Sequence, residues 1–305
     1  MSLLGQSTGS IGRISKAHRS TAKGSAPCVK IDYAALKGKD QKLLPFEPAT
    51  RISVTASPDP NWTYGKGTGE TKSADEHAHI EIDPFGPGRP MLHNYTLLVS
   101  SIAPRPIGLI STVSKDGKQN LAPFSYFQVV DHDPPIFVVG FSGRASRPKD
   151  TLQNLKDTGE CTFNLVSEDM IEAVNATSID APRGLSEWSF SGLTKTASTT
   201  VTPPRVKESV VSIEGKLSEI VEYKTSRPAV GGAPGTLAII EATRFWVKAN
   251  AIDDKRSHVD LSHFRPVGQL GGVSYARMTD TFELPRTNWA RSGLKGTEWA
   301  KHENL

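Results

Sequence analysis

Between residues 107 and 166 the chain alternates short apolar runs with polar punctuation. The runs IGLISTV (107–113), PFSYFQVV (123–130), PIFVVGF (135–141) and CTFNLV (161–166) are β-branched and aromatic, and the turn-forming stretches KDGKQN and DHDPP lie between them. They predict four strands joined by tight turns. Further on, VVSIEGKLSEIVEY (210–223) and TLAIIEATRFWV (236–247) predict two longer strands flanking the Gly/Pro-rich loop TSRPAVGGAPG. Only two segments have a helical texture. DTLQNLKDT (150–158) is closed by Gly159, and in SEDMIEAVNAT (167–177) Ser167 is placed to cap while acids fill the first turn. Strands outnumber helices and crowd together, so an antiparallel barrel or sandwich is expected rather than the regular alternation of a doubly wound sheet. From Lys37 to about Pro90 neither period is sustained, as in PDPNWTYGKGTGETKSADEHAH, and this reads as an extended lead-in draped over a core built elsewhere.

Composition narrows the function class. No apolar run approaches the ~18 residues of a membrane span, so no membrane association is expected. The formal net charge of +4 is spread along the 305 residues rather than gathered into a basic stripe, which disfavours a nucleic-acid partner. With only Cys28 and Cys161 and no apolar leader, a reducing, cytoplasmic compartment is expected. The sequons at Asn61, Asn94 and Asn175 are then inert. Residues 1–31 hold Arg13, Lys16, Arg19, Lys23 and Lys30 with no acid, the composition of a mitochondrial transit peptide, but their apolar residues form no helical face. A flexible arm over 1–36 is the simpler reading, with mitochondrial targeting its alternative.

Several motifs lack the context that their chemistry needs. GQSTG (5–9) fits a nucleophile elbow but has neither the preceding strand nor the following helix. GTGETKS (67–73) lacks the glycine directly before Lys72 that a phosphate loop requires. His77 and His79 would share one face of a strand, yet without a third ligand they read as a solvated polar segment. Asp131, His132 and Asp133 precede two prolines and read as turn formers. No metal is expected.

RPKDTLQNLKDTGE (147–160) is different. Arg147 and Lys149 stand at the start of a helix, where the dipole already makes more positive charge unwelcome, and they make sense if an anion arrives to neutralise them. The strand before this helix ends at Ser142 and Gly143, so backbone N–H groups, hydroxyls and a guanidinium converge there. NLAPFSYF (120–127) sets Pro123, which cannot donate to a ladder, beside small Ala122 and Ser125, leaving room for something flat. In PRPIGLIST (104–112), Arg105 sits between prolines at the mouth of a strand.

Together PRPIGLISTVSKDG, NLAPFSYFQVVDHDPP, FVVGFSG, KDTLQNLKDTGECTFNLVSE, PPRVKES and RPVGQLGG, with Tyr275 after it, resemble the flavin reductase-like family of FMN-binding split barrels, and among these the longer fungal-type members. The resemblance runs from about residue 94 to 286. It implies a mainly β fold, a six-stranded antiparallel split β-barrel over residues 91–286 with a few short helices, the lead-in over 37–90 and a C-terminal tail over 287–305. It implies FMN as cofactor, its phosphate held by Ser142, Arg147, Lys149, Asp150 and Thr151. Asn120, Leu121, Ala122, Pro123 and Ser125 would line the ring, and Arg105, Ser111 and Thr112 would contribute to the phosphate and ribityl chain. Gly271 would let the backbone pass close to the ring, and Tyr275 would lie near the substrate. The implied function is a flavin oxidoreductase passing hydride or electrons between NAD(P)H and flavin, working as a homodimer on a small-molecule substrate or acceptor. The alternatives are an FMN-dependent electron carrier or oxygenase-type enzyme, for which Trp289 and Trp299 would help build a lid, and a barrel that binds without a cofactor. The sequence departs from the family pattern at Gln269, where arginine is usual.

Overall fold

The computed structural model describes residues 30, 44–48, 51–68, 78–143, 147–223 and 235–293. GQSTG, His77, Ser146, Trp299, most of the 225–235 loop and nearly all of the N-terminal arm lie outside the described residues. Met1–Pro48 and Ala49–Leu305 are separate units, and everything below concerns the second.

In chain order the strands are β1 (Ser53–Thr55), β2 (Gly108–Val113), β3 (Gln119–Phe124), β4 (Phe127–His132), β5 (Pro135–Phe141), β6 (Glu160–Leu165), β7 (Lys195–Thr196), β8 (Arg205–Val206), β9 (Val211–Glu222), β10 (Thr236–Val247), β11 (Val267–Gln269), β12 (Tyr275–Arg277) and β13 (Asp280–Phe282). The helices are α1 (Met91–Ser101), α2 (Asp150–Thr158), α3 (Ile171–Ala176), α4 (Trp188–Ser191) and α5 (Leu261–Phe264). The largest sheet is antiparallel and has seven strands where six were expected, in the order β3-β2-β6-β9-β10-β5-β4. Its two edges, β3 and β4, are consecutive in the chain and separated only by Ser125 and Tyr126. The sheet must therefore curl until its ends meet, which makes a barrel with a split between β3 and β4. The 123–130 run is thus not one strand: the chain bends at Ser125–Tyr126, and the two halves belong to opposite edges.

Two cores explain why the strands read as continuous apolar runs. Ile110, Phe124, Phe127, Phe137, Val139, Phe163, Ile213 and Ile240 belong to one cluster, while Leu109, Leu121, Val166, Val174 and Trp188 belong to another. Successive side chains of β2 therefore enter different cores, and all six of its residues are buried. Phe127 stacks on Phe137 at 5.8 Å between ring centroids and also touches the Phe163 ring at 5.1 Å. Gly108 leaves room for this group, since a Cβ there would lie 3.0 Å from the Phe127 ring.

α2 ends as its sequence dictates, on Gly159 in the left-handed region at φ 71°. Ser167 does not cap the next helix. Its hydroxyl bonds the Asp169 carboxylate instead, and a 3-10 turn over Glu168–Met170 leads into α3. α1 was not foreseen, because MLHNYTLLVSS has no clear apolar face and only Val99 is buried. The lead-in forms one short strand, β1, paired in parallel with β13.

Candidate functional site

The site is built on the sheet edge β3 and the start of α2. Among the described residues β3 pairs only with β2, Leu109 facing Pro123 and Thr112 facing Asn120, so no described strand lies on its other side. Pro123 offers no N–H there. The Leu121 amide does not stay free: it donates to Glu187 Oε2 at 3.1 Å. α2 is fixed to this edge by a buried polar network. Asn120 Nδ2 donates to Thr151 Oγ1 at 2.9 Å and to Thr112 Oγ1 at 3.3 Å, and Asn154 Nδ2 donates to Thr112 Oγ1 at 3.0 Å. Thr151 accepts in that network, so its hydroxyl proton remains available to a ligand.

The first turn of α2 has Lys149 as N-cap in extended conformation, and among the described residues no side chain caps it. An uncapped helix start presents N–H groups and the positive end of the dipole, which suits an anion. The turn opens on a cleft whose lining brings together Asn120, Ala122, Pro123, Arg147, Lys149, Asp150 and Thr151. Arg147 reaches across it, its Nη2 donating to Ala181 O at 3.1 Å and facing Asp180 Oδ1 at 3.4 Å. Asp150 Oδ1 is a buried acceptor without a hydrogen-bond partner, and Ser111 Oγ is a buried hydroxyl in the same condition. Burial raises the Glu187 carboxyl above its ordinary value against the Leu121 amide that would lower it, and nearby Asp150 adds to the rise.

Two further clefts continue this one along β3. Beyond Pro123, a space of about 260 Å³ is lined by Ser125, Asn175, Gln269 and Tyr275 among others. Beyond Asn120 and Asp150, a polar space of about 370 Å³ reaches Lys118 and Arg183. The central cleft alone, at about 100 Å³, is smaller than a ligand site of ordinary size, but it shares Pro123 and Ser178 with the first of these spaces and Asn120 and Asp150 with the second, so the three line up as a trough along β3. Tyr275 donates to Asn175 Oδ1 at 3.3 Å, and burial raises its hydroxyl against a Gln269 hydrogen bond. The hairpin carrying Gln269 and Tyr275 is held by Glu168, whose carboxylate meets Arg265 at 3.0 Å and Arg277 at 3.6 Å.

Not every residue singled out from the sequence lines this trough. Arg105 is buried, and its guanidinium donates to Val99 O, Ile102 O at 2.8 Å, Leu270 O at 3.0 Å and Ser125 Oγ at 3.2 Å. It braces the end of α1 against β11. Ser111 and Thr112 are fully buried in β2 behind the edge strand, and the Leu121 side chain points into a core. Ser142 and Lys149 share a shallower cleft with Tyr95, Ser125 and Tyr126. Gly271 packs against Ser100, where a Cβ would lie 3.1 Å from the serine Cβ. Sequence reasoning missed Glu187, Asn175 and the 177–181 loop, none of which belongs to a recognisable motif. Among the described residues, no group of three or more His, Cys, Asp and Glu could hold a metal, and no helix is long and apolar enough to cross a membrane.

A family model described as the flavin reductase like domain matches residues 100–266, more than half of the chain. An uncharacterised protein of Aquifex aeolicus is 38% identical over 184 residues, 60% of this chain and 89% of that one. Nitrilotriacetate monooxygenase component B from Bacillus cereus superposes with a TM-score of 0.63 at 29% identity, covering 68% of this chain and all of the other. The 2-nitrobenzoate 2-nitroreductase of Pseudomonas fluorescens gives 0.60 at 28%, covering 70% and 98%. A split-barrel-domain protein from Shewanella frigidimarina, at 0.55 and 24%, shares the fold. The chain therefore belongs to the flavin reductase-like domain family, as a flavoprotein of oxidoreductase type.

Proposed function

We propose that the trough along β3 binds FMN and that the protein is an NAD(P)H-dependent flavin oxidoreductase. The observation that carries this reading is the uncapped start of α2, with Arg147 and Lys149 beside it, opening on the cleft of an edge strand. The donor set fits the ribityl phosphate. First-turn N–H groups, Lys149 and the Thr151 hydroxyl suit the phosphate, while the orphan acceptor of Asp150 suits a ribityl hydroxyl. Ala122 and Pro123 leave the edge flat enough for the ring. Bound there, the flavin supplies hydride acceptance and electron transfer. The chain's own residues bind, orient and exclude water: Asn120 and Asn154 fix α2, and the Tyr275–Asn175 pair closes the far cleft over the second substrate. No side-chain nucleophile is needed.

The direct test is FMN titration of the full chain, followed by flavin fluorescence and visible absorbance. Uptake is expected, and Lys149→Ala combined with Thr151→Ala should weaken it at least about tenfold, from the loss of a charged and a neutral hydrogen bond. A protein that takes up no FMN is not what we describe. Titration unchanged by the double substitution places the phosphate elsewhere.

A second reading is supported by the far cleft and by the similarity to a nitroreductase: the flavin works on an organic substrate rather than passing electrons on. Rapid steady-state oxidation of NADH or NADPH with FMN favours the first reading, and slow turnover favours the second.

A further inference from the structure

Glu187 is a carboxylate where a phosphate-binding cleft would not be expected to have one. It is 7% exposed, lies just before α4, lines the cleft and accepts from the Leu121 amide of the edge strand β3. The cleft's charged lining is two cations, Arg147 and Lys149, against three carboxylates, Asp150, Asp180 and Glu187. Asp150 of α2 and Arg147 of the loop before it act on Glu187, while Asp180 of the loop after α3 lines the same cleft and faces Arg147. Lys195 lies next door, over the Trp188 ring at 5.5 Å. Arg147 is already engaged with Asp180. With all five groups ionised the cleft is net negative, and a phosphate entering it would add to an existing deficit of positive charge.

We propose that Glu187 is the group that relieves this deficit: it takes up a proton as the flavin phosphate enters, so that flavin uptake is linked to protonation of Glu187. The proposal rests on the FMN reading above. Glu187 is the natural proton acceptor because it is the least exposed of the three carboxylates; the Asp180 side chain is 73% exposed and faces Arg147. Burial already holds its carboxyl above the ordinary range, and a phosphate anion nearby moves it further in the same direction. Neutral Glu187 keeps an oxygen for the Leu121 amide, so protonation does not break β3's contact. The role is one of positioning and charge balance.

The linkage has a definite sign. Ligand favours the protonated form, so the FMN dissociation constant should rise with pH, by up to about tenfold per unit between the carboxyl's value in the free protein and its higher value in the complex. Glu187→Gln keeps the acceptor for Leu121 and removes the titration. The experiment is FMN binding from pH 5.5 to 8.5 in both proteins, with the phosphate's own second ionisation, near pH 6, cancelling in the ratio of the two constants. The expected result is a ratio that grows with pH, the variant binding more tightly at the alkaline end. Calorimetry in buffers of different ionisation enthalpy, at pH 7.5 or above where the phosphate is already a dianion, reads net proton uptake on FMN binding, which is expected for the wild-type protein and absent from Glu187→Gln. FMN binding with parallel pH profiles and no proton uptake overturns the proposal and leaves the flavin site standing. An absence of FMN binding by the wild-type protein overturns both.

Discussion

Glu214 shows how far a residue's role can lie from its place in a pattern. It follows Ile213 in a run that alternates apolar and polar positions, which assigns it to a solvated face, yet it is fully buried. Its carboxylate accepts from Thr199 N at 2.8 Å, Thr200 N at 2.5 Å and Trp246 Nε1 at 2.7 Å, and the Arg205 guanidinium lies 3.6 Å above the Trp246 ring. Burial alone would raise this carboxyl, but hydrogen bonds from Thr200, Thr199 and Trp246 outweigh it and the net shift is downward. A carboxyl held below its unfolded value stabilises the fold above the ordinary carboxylate range, and that contribution is lost as pH falls through the folded value. Glu214→Gln puts an NH2 group in place of one of two oxygens that together meet four donors, Thr199 N, Thr200 N, Thr200 Oγ1 and Trp246 Nε1. It should cost about 3 kcal/mol at pH 7 in urea unfolding, with a smaller loss of stability on going to pH 4 than the wild-type protein shows. The same illegibility hides Glu187. Arg105 is the converse case, a residue conspicuous in sequence whose guanidinium is engaged by three main-chain carbonyls and the Ser125 hydroxyl. Of the residues singled out from the sequence, Asn120, Ala122, Pro123, Arg147, Lys149, Asp150 and Thr151 come to line one cleft, because strand-edge and helix-start chemistry is local.

At the scale of elements, legibility follows local punctuation. β2, β5, β6, β9 and β10 lie within a residue or two of the runs that announced them, since turns and β-branched residues set their limits. The 123–130 run misled because the bend at Ser125–Tyr126 is imposed by barrel closure and not by turn residues. α1 was illegible because what would fix its face is not in its own sequence. The β11–β12 hairpin depends on a close approach that only the structure shows: Gly268 packs on Pro104, and a Cβ there would stand 2.6 Å from the proline Cβ. The adjacent ladder, Arg105 N to Gln269 O and Gln269 N to Arg105 O, both 2.9 Å, leaves little room to yield. Gly268→Ala should therefore push the hairpin outward, costing about 1–3 kcal/mol by overpacking. Because Gln269 and Tyr275 ride on that hairpin, the KM for the electron donor should rise while the FMN dissociation constant stays within about twofold. Thermal unfolding and steady-state kinetics read the two effects separately, and an equal loss of FMN affinity would show that the far cleft is not independent of the central one.

At the scale of the whole molecule, α1 and β4 expose apolar side chains. α1 has no Asp, Glu, Lys or Arg, and its Met91, Leu92, Tyr95, Leu97 and Leu98 are all exposed. Tyr95 of α1 shares a cleft with Tyr126, the residue just before the edge strand β4, and β4 exposes Val129 and Val130. A helix this apolar normally has a partner along its length, and exposed apolar surface of this kind marks an interface. We propose that a second copy of the chain, related by a two-fold axis, covers these side chains, since one patch used by both copies can be self-complementary. The cleft that would be covered also contains Ser142 and Lys149, so the partner would close one wall of the flavin site. Leu98→Glu with Val129→Glu places charge on both elements while touching neither core. In sedimentation velocity the wild-type protein should run at twice the 33.0 kDa chain mass and the double variant at the chain mass, with FMN affinity reduced about tenfold by the lost wall. A wild-type protein that sediments as a single chain at every concentration would leave the apolar helix to another partner and detach the flavin site from any subunit interface.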